Sequence, residues 1–257
     1  MLTASLVPSA GRVSWHIKPH RFRSVACTHP GRVRKLNEDA CLDRPEAGLW
    51  AVADGMGGHN AGDVASAAVI DSLARVSEFG SAYAFRRGVR SALVAANNQL
   101  QQMADEDLLG PIGATVVTLL AHRGHYACIW AGDSRAYHQR AGVFTRITRD
   151  HSLVQELVDV GELDGEQARA HRSANVVTRA VGAQARLDLD GVHGRIEVGD
   201  RFLLCSDGLA AVLDDAELAS HMRADTIAAT ALSLMRAALE TGAPDNVTFV
   251  LIEAEAA

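Results

Sequence analysis

Four apolar stretches of this chain begin or end on an aspartate: AVAD before Gly55, WAGD before Ser134, LLCSD before Gly208, and PD ahead of NVTFV. The acids are Asp54, Asp133, Asp207 and Asp245. Aspartate is depleted inside strands and costly to bury alone, so any one such case reads as a turn or a cap. Four of them read differently. Carboxylates gathered without cations raise one another's pKa, so a cluster calls for compensating charge. A hard divalent cation supplies it: oxygen-only ligands suit magnesium or manganese, and no His/Cys constellation in the chain suits zinc. Gly55 and Gly208 follow two of the acids, and glycine lets a backbone approach closely enough to offer a carbonyl oxygen. The run Asn37-Glu38-Asp39 adds two more acids beside a loop that carries Arg34. Arginine beside a metal–carboxylate centre is the combination that binds and polarises a phosphoryl group.

The elements that must position these residues follow from the patterning. Residues 1–21 carry Pro8, Gly11 and Pro19 without sustained periodicity and read as a loosely ordered lead-in to a domain over 22–257. FRSVACT and ACLD read as strands on either side of a turn-rich loop, and LWAVAD as a short strand ending on Asp54. The loop GMGGHNAGD follows, with Asn60 or Asp63 expected to cap the helix VASAAVIDSLARV. Phe85, Val89, Leu93 and Leu100 fall at helical spacing over 83–104. Three strands come next, ATVVTLLA, HYACIWAG and SRAYHQ. The middle one is apolar on both faces, which predicts a central strand covered on both sides. HSLVQELVDVGEL predicts a helix closing at Gly161. The polar stretch after it makes 149–175 a lid-like flap. RFLLCSDG is another buried strand running into Asp207, and helices over 215–221 and 226–239 precede the strand after Asp245. Helices come in pairs between groups of neighbouring strands, without β-α-β alternation, so the fold class is α+β and layered.

Composition bounds the function. Hydrophobic residues at 48% and charged residues at 22% describe an ordinary globular chain. The net charge of −6, with scattered Lys and Arg, argues against nucleic acid as partner. Cys27, Cys41, Cys128 and Cys205 never form a C-x-x-C pair and read as small apolar residues. The start lacks the basic and apolar regions of a secretory signal, and no apolar run reaches the roughly 20 residues of a membrane helix. A cytoplasmic protein without membrane association is the expectation.

Eight segments, RKLNED (34–39), VADGMGGHNAG (52–62), GATVV (113–117), AGDSR (131–135), TRDHS (148–152), NVVTRAVG (175–182), LLCSDGL (203–209) and PDNVT (244–248), occur in an order that identifies a family. In these segments the chain resembles the metal-dependent protein phosphatases of the 2C type, the PPM family, in their compact bacterial form. The resemblance implies a four-layer α-β-β-α sandwich of two antiparallel sheets flanked by helix pairs, with metals at one end. By similarity, Asp54 bridges two Mn2+ or Mg2+ ions and the Gly55 carbonyl binds the first. Asp207 and Asp245 bind the second, and Glu38 and Asp39 hold metal-bound waters. Asp133 looks like the ligand of a third ion, shared with Asp207. Arg34 looks like the phosphate-binding arginine, and Asn37 like a loop organiser. The implied reaction is in-line attack of a metal-generated hydroxide on phosphoserine or phosphothreonine, with no covalent intermediate. Implied partners are phosphorylated proteins and a cognate Ser/Thr kinase, with the phosphatase itself a monomer.

The chain departs from the family at Met56, where eukaryotic relatives carry a histidine proposed to protonate the leaving oxygen. Methionine cannot, so water takes that role, with His59 as an alternative donor. HRSAN (171–175) also lacks the usual proline and basic residue. Two other readings compete. A nucleotide-binding glycine loop fails because Asn60 stands where G-x-G-x-x-G needs glycine. A catalytically weak, PPM-like regulator that only binds phosphoproteins is opposed by the presence of every metal-binding aspartate.

Overall fold

A computed structural model describes residues 20–57, 61–77, 80–106 and 112–257. The strands β1 (His20–His29), β2 (Asp39–Arg44), β3 (Leu49–Gly57), β4 (Ile112–Ala114), β5 (Val116–His122) and β6 (His125–Ala131) are followed by β7 (Arg135–Arg140), β8 (Val143–Arg146), β9 (Asp190–Arg195), β10 (Arg201–Cys205) and β11 (Val247–Ala256). One sheet runs β1-β11-β10-β7-β8 and the other β2-β3-β5-β6-β9, with β4 added to β3, and all pairings are antiparallel.

Side chains alternate across a strand, so a strand apolar on both faces must be covered on both. In β11, Val250 and Ile252, like Phe202 and Leu204 of the neighbouring β10, face the other sheet, where they meet Trp50 and Val52 of β3. Phe249 and Leu251 of the same strand face outward. There they pack beneath α5 (Asp207–Ala210), α6 (Asp215–His221) and α7 (Ile227–Glu240) through Leu209, Leu218 and Leu234. On the far side, α1 (Gly62–Ala74) and α2 (Ala82–Glu106) cover the second sheet with Val69, Leu73, Phe85, Val89, Leu93 and Leu100. The result is the expected α-β-β-α sandwich. The short helices α3 (Leu153–Asp159) and α4 (Gly165–Ala170) lie in the 149–175 stretch; α4 has no buried residue and is held by a capping box between Asp164 and Gln167.

Four local expectations change. Asp63 does not cap α1: the N-cap is Ala61, with no side-chain cap bond, and the Asp63 carboxylate accepts from the next backbone N–H instead. Asn60 lies outside the described residues. β3 does not end at Asp54 but runs to Gly57, because it exchanges partners there: β5 pairs with Leu49 to Val52 and β4 with Gly55 to Gly57. Thr115 stands in the gap, its N–H donating to the Asp54 carbonyl at 2.8 Å. Finally, β9 and α5 have no counterpart in the pattern reading. All four cysteines are free thiols, Cys128 and Cys205 buried and Cys27 and Cys41 half-buried.

Candidate metal centre

Strand register gathers the acids at one end of the sandwich. Asp39 and Asp54 are direct cross-strand partners in β2 and β3. Arg135 of β7 is paired with Cys205 of β10, so Asp133 and Asp207, each two residues beyond that pair, emerge side by side. Cys205 is in turn paired with Phe249 of β11, and the ladder extends through the Ser206 N–H to the Thr248 carbonyl at 2.9 Å, which brings Asp245 to the same end.

The loop with Arg34 and Glu38 is tied down by Asn246. Its amide donates to the carbonyls of Pro30 (3.0 Å) and Leu36 (2.9 Å), and its carbonyl accepts from the Glu38 N–H at 2.8 Å. Asn37 donates to the Thr28 hydroxyl at 2.7 Å, which fits the organising role the resemblance implies. Gly55 and Gly62 bring the end of β3 against the start of α1, with the Glu38 carboxylate beside Gly62. Arg34, half exposed, donates to Asp245 at 2.7 Å.

Burial and mutual repulsion dominate the electrostatics of the cluster. Burial, then the charges of Asp207, Asp39 and Asp133, holds the Asp54 carboxyl well above the usual carboxylate range. Burial also raises Asp207, which accepts a hydrogen bond from Asp54. Asp133 is pushed up to about 8 by burial and by Asp207 and Asp150. Burial pushes Asp39 up to about 7 despite hydrogen bonds from Thr248 and Ser206. One oxygen of Asp39, Oδ1, is buried without any partner, while Oδ2 accepts from Ser206 at 2.8 Å. The nearest arginines are engaged, Arg34 by Asp245 and Arg135 by Asp150 at 2.7 Å.

All-oxygen donors, an orphaned carboxylate oxygen and uncompensated negative charge fit a hard divalent cation. Among the described residues, no three His, Cys, Asp or Glu side chains close on one point at metal-binding distance. Asp245 turns to Arg34, and burial and mutual repulsion raise both Asp54 and Asp207. The donors are therefore gathered at one end, with Arg34 paired to only one of them, Asp245.

A stability prediction follows. A carboxyl whose pKa is raised by folding holds a proton that the unfolded chain has already lost, so stability falls as pH rises through the folded value. The histidines lowered by burial, His138 and His151, act oppositely, but only below their ordinary value of 6.5. Metal-free protein in chelator should thus lose thermal stability between about pH 6.5 and 8, and Mn2+ should restore it. A melting temperature that is flat or rising over that interval would contradict this account of the cluster.

Residue-type reasoning found the acids but missed their supports, Asn246, Ser206, Thr115 and His151. Asn246 and Ser206 sit in quoted segments, next to Asp245 and Asp207, and adjacency to a charged strand end was the available signal. Met56 is paired with Gly113 in the β3–β4 ladder, and His59 lies outside the described residues.

The chain belongs to the protein phosphatase 2C family, whose description matches residues 31–241. It is 36% identical over 235 residues to the serine/threonine protein phosphatase PstP of Mycobacterium tuberculosis, covering 90% of this chain but 45% of that protein, so it spans about half the length of that relative. The solved structure of PppA, described as a key regulatory component of T6SS in Pseudomonas aeruginosa, superposes with a TM-score of 0.85 at 45% identity, covering 91% of this chain and 97% of the other. The catalytic domain of PstP in complex with two manganese ions gives a TM-score of 0.84 at 32% identity, covering 92% of this chain and all of that one.

Proposed function

We propose that this chain hydrolyses phosphoserine and phosphothreonine in proteins at a manganese or magnesium centre. The observation that carries this reading is the convergence of Asp39, Asp54, Asp133, Asp207 and Asp245 at one end of the sandwich, with Arg34 at its mouth. When bound there, the cations supply positive charge and a water of lowered pKa. Asp54, the Gly55 carbonyl, Asp207 and Asp245 would hold two such ions, with Asp54 contributing to both. The manganese-bound PstP domain supports that cofactor class. Asp133, with Asp207, would hold a third ion. Glu38 and Asp39 accept hydrogen bonds from water in the centre and orient it. Arg34, freed from Asp245, holds the phosphoryl oxygens and offsets their charge. Met56 cannot donate a proton to the leaving oxygen, so water in the centre does.

A cleft of about 360 Å³ runs from Asp133 and Asp207 between the core and the 149–175 flap, with Arg169 and Asn175 on its flap side. We assign it to the peptide flanking the phosphorylated residue. The substrates are the products of a Ser/Thr kinase, and the likeness to PppA favours a pathway that regulates a secretion apparatus. No helix among the described residues is long and apolar enough to cross a membrane.

Release of phosphate from a phosphothreonine peptide should depend on Mn2+ or Mg2+ and vanish in chelator. Absence of release across a full series of divalent metals would favour the competing reading, a regulator that binds phosphoproteins without turnover.

A further inference from the structure

Asp133 stands on a turn that the chain alone would hold poorly. Gly132 has φ +111°, and a β-carbon there would meet the Thr115 side chain at 2.5 Å, so the turn requires glycine, the most freely moving residue. Gly132 is buried, and its N–H needs an acceptor.

That acceptor is a side chain 19 residues away. His151, 4% exposed, accepts from the Gly132 N–H through Nδ1 at 3.2 Å, and its own N–H donates to the Gly132 carbonyl at 2.9 Å. One residue thereby grips both sides of the residue before Asp133. The ring is itself fixed on three sides. It lies against Trp130, with centroids 6.0 Å apart and planes 15° apart. Its Nε2 meets Asp190 of β9 at 3.1 Å, and Arg179 holds the other Asp190 oxygen at 3.2 Å. An accepting Nδ1 and a donating Nε2 define one neutral tautomer, and burial, which lowers the pKa of His151, favours the uncharged ring.

We infer that His151 is a positioning residue for the Gly132–Asp133 turn, and through it for the cation site to which Asp133 contributes. The inference rests on the reading of Asp133 as a metal donor. His151 is buried and does not line the cleft beside Asp133, which sets it apart from the donors. Its work is to fix where the Asp133 carboxylate stands, with Asp190 and Arg179 fixing the ring in turn. Groups that orient a metal ligand directly change affinity by about 10–100-fold when removed, and His151, acting through the Gly132 backbone, belongs at the lower end of that range.

The test is Mn2+ binding to the full chain, measured by the electron paramagnetic resonance of free Mn2+, without reference to turnover. Asp133→Ala should abolish one class of site; if it does not, the reading of Asp133 and this inference both fall. His151→Ala should weaken that same class by about tenfold or more while leaving the others within about twofold. His151→Asn, whose amide oxygen can take the place of Nδ1, should recover most of the loss. Asp190→Ala, at a half-exposed position, should give a smaller weakening of the same class. With Asp133→Ala behaving as expected, any of three results overturns the role of His151: an unchanged class in His151→Ala and Asp190→Ala, equal weakening of every class, or no recovery in His151→Asn.

Discussion

Replacing Asp54 with asparagine should abolish phosphate release while making the metal-free protein more stable. Asp54 is buried among Asp39, Asp133 and Asp207, and both burial and those charges oppose its ionisation. An amide of the same shape removes one member of the repelling set, so metal-free Asp54→Asn should melt above the wild type at pH 8, where the wild-type cluster is most strained. The same change takes away the donor that two cations share. Loss of such a ligand is expected to cost about a thousandfold or more in turnover, because the attacking water and the charge offset at phosphorus both depend on it. Manganese titration against a phosphothreonine peptide reads the first effect and thermal unfolding in chelator the second. Activity near wild type would remove Asp54 from the centre. Lost activity with a lower melting temperature would mean that the substitution damages the fold.

Gly55→Ala should act in the opposite sense on stability. A β-carbon at Gly55 would fall inside van der Waals contact of the Gly62 carbonyl and of the Glu38 carbonyl oxygen, both backbone atoms with no rotamer to yield. The loop bearing Glu38 is already pinned by Asn246, and Gly62 begins α1. Relief would require moving β3 or the helix, at a cost of about 3 kcal/mol or more. Urea unfolding midpoints compare the two proteins directly, and an unshifted midpoint would show that the end of β3 is looser than its packing implies. Gly208, whose missing side chain makes room for the Asn246 carbonyl, is a second position of the same kind.

How far these features could be read in advance depends on the interactions that produce them. The paired layers, α2 and the acids at strand ends were legible because burial writes a period of two or of about 3.6 into the sequence. The continuation of β3 past Asp54 was not, since it depends on β4, a partner more than fifty residues away. The edge strand β9 is half-exposed and carries Gly191 and Gly194, so its alternation is faint. Asp63 has the right residue type for a cap but lies one position inside the first turn of α1, and Ala61 takes the boundary. The support given by Asn246 and His151 consists of hydrogen bonds to backbone atoms 19 to 216 residues away, which no local pattern encodes.

The register of β1 against β11 also bears on how the protein comes into being. Every residue from His20 to His29 is matched with one from Ala256 back to Val247, and Arg34 meets Asp245 just beyond that ladder. On a ribosome adding about 5–20 residues per second, β1 emerges on the order of ten to forty seconds before its partner. Until then the β2-β3-β5-β6-β9 sheet with α1 and α2 can assemble, but β1 has an unsatisfied edge and Arg34 has no counterpart. The acidic end therefore stays incomplete until β11 has emerged. Nascent chains should acquire the ability to bind cations in one late step, when the last strand closes the sheet.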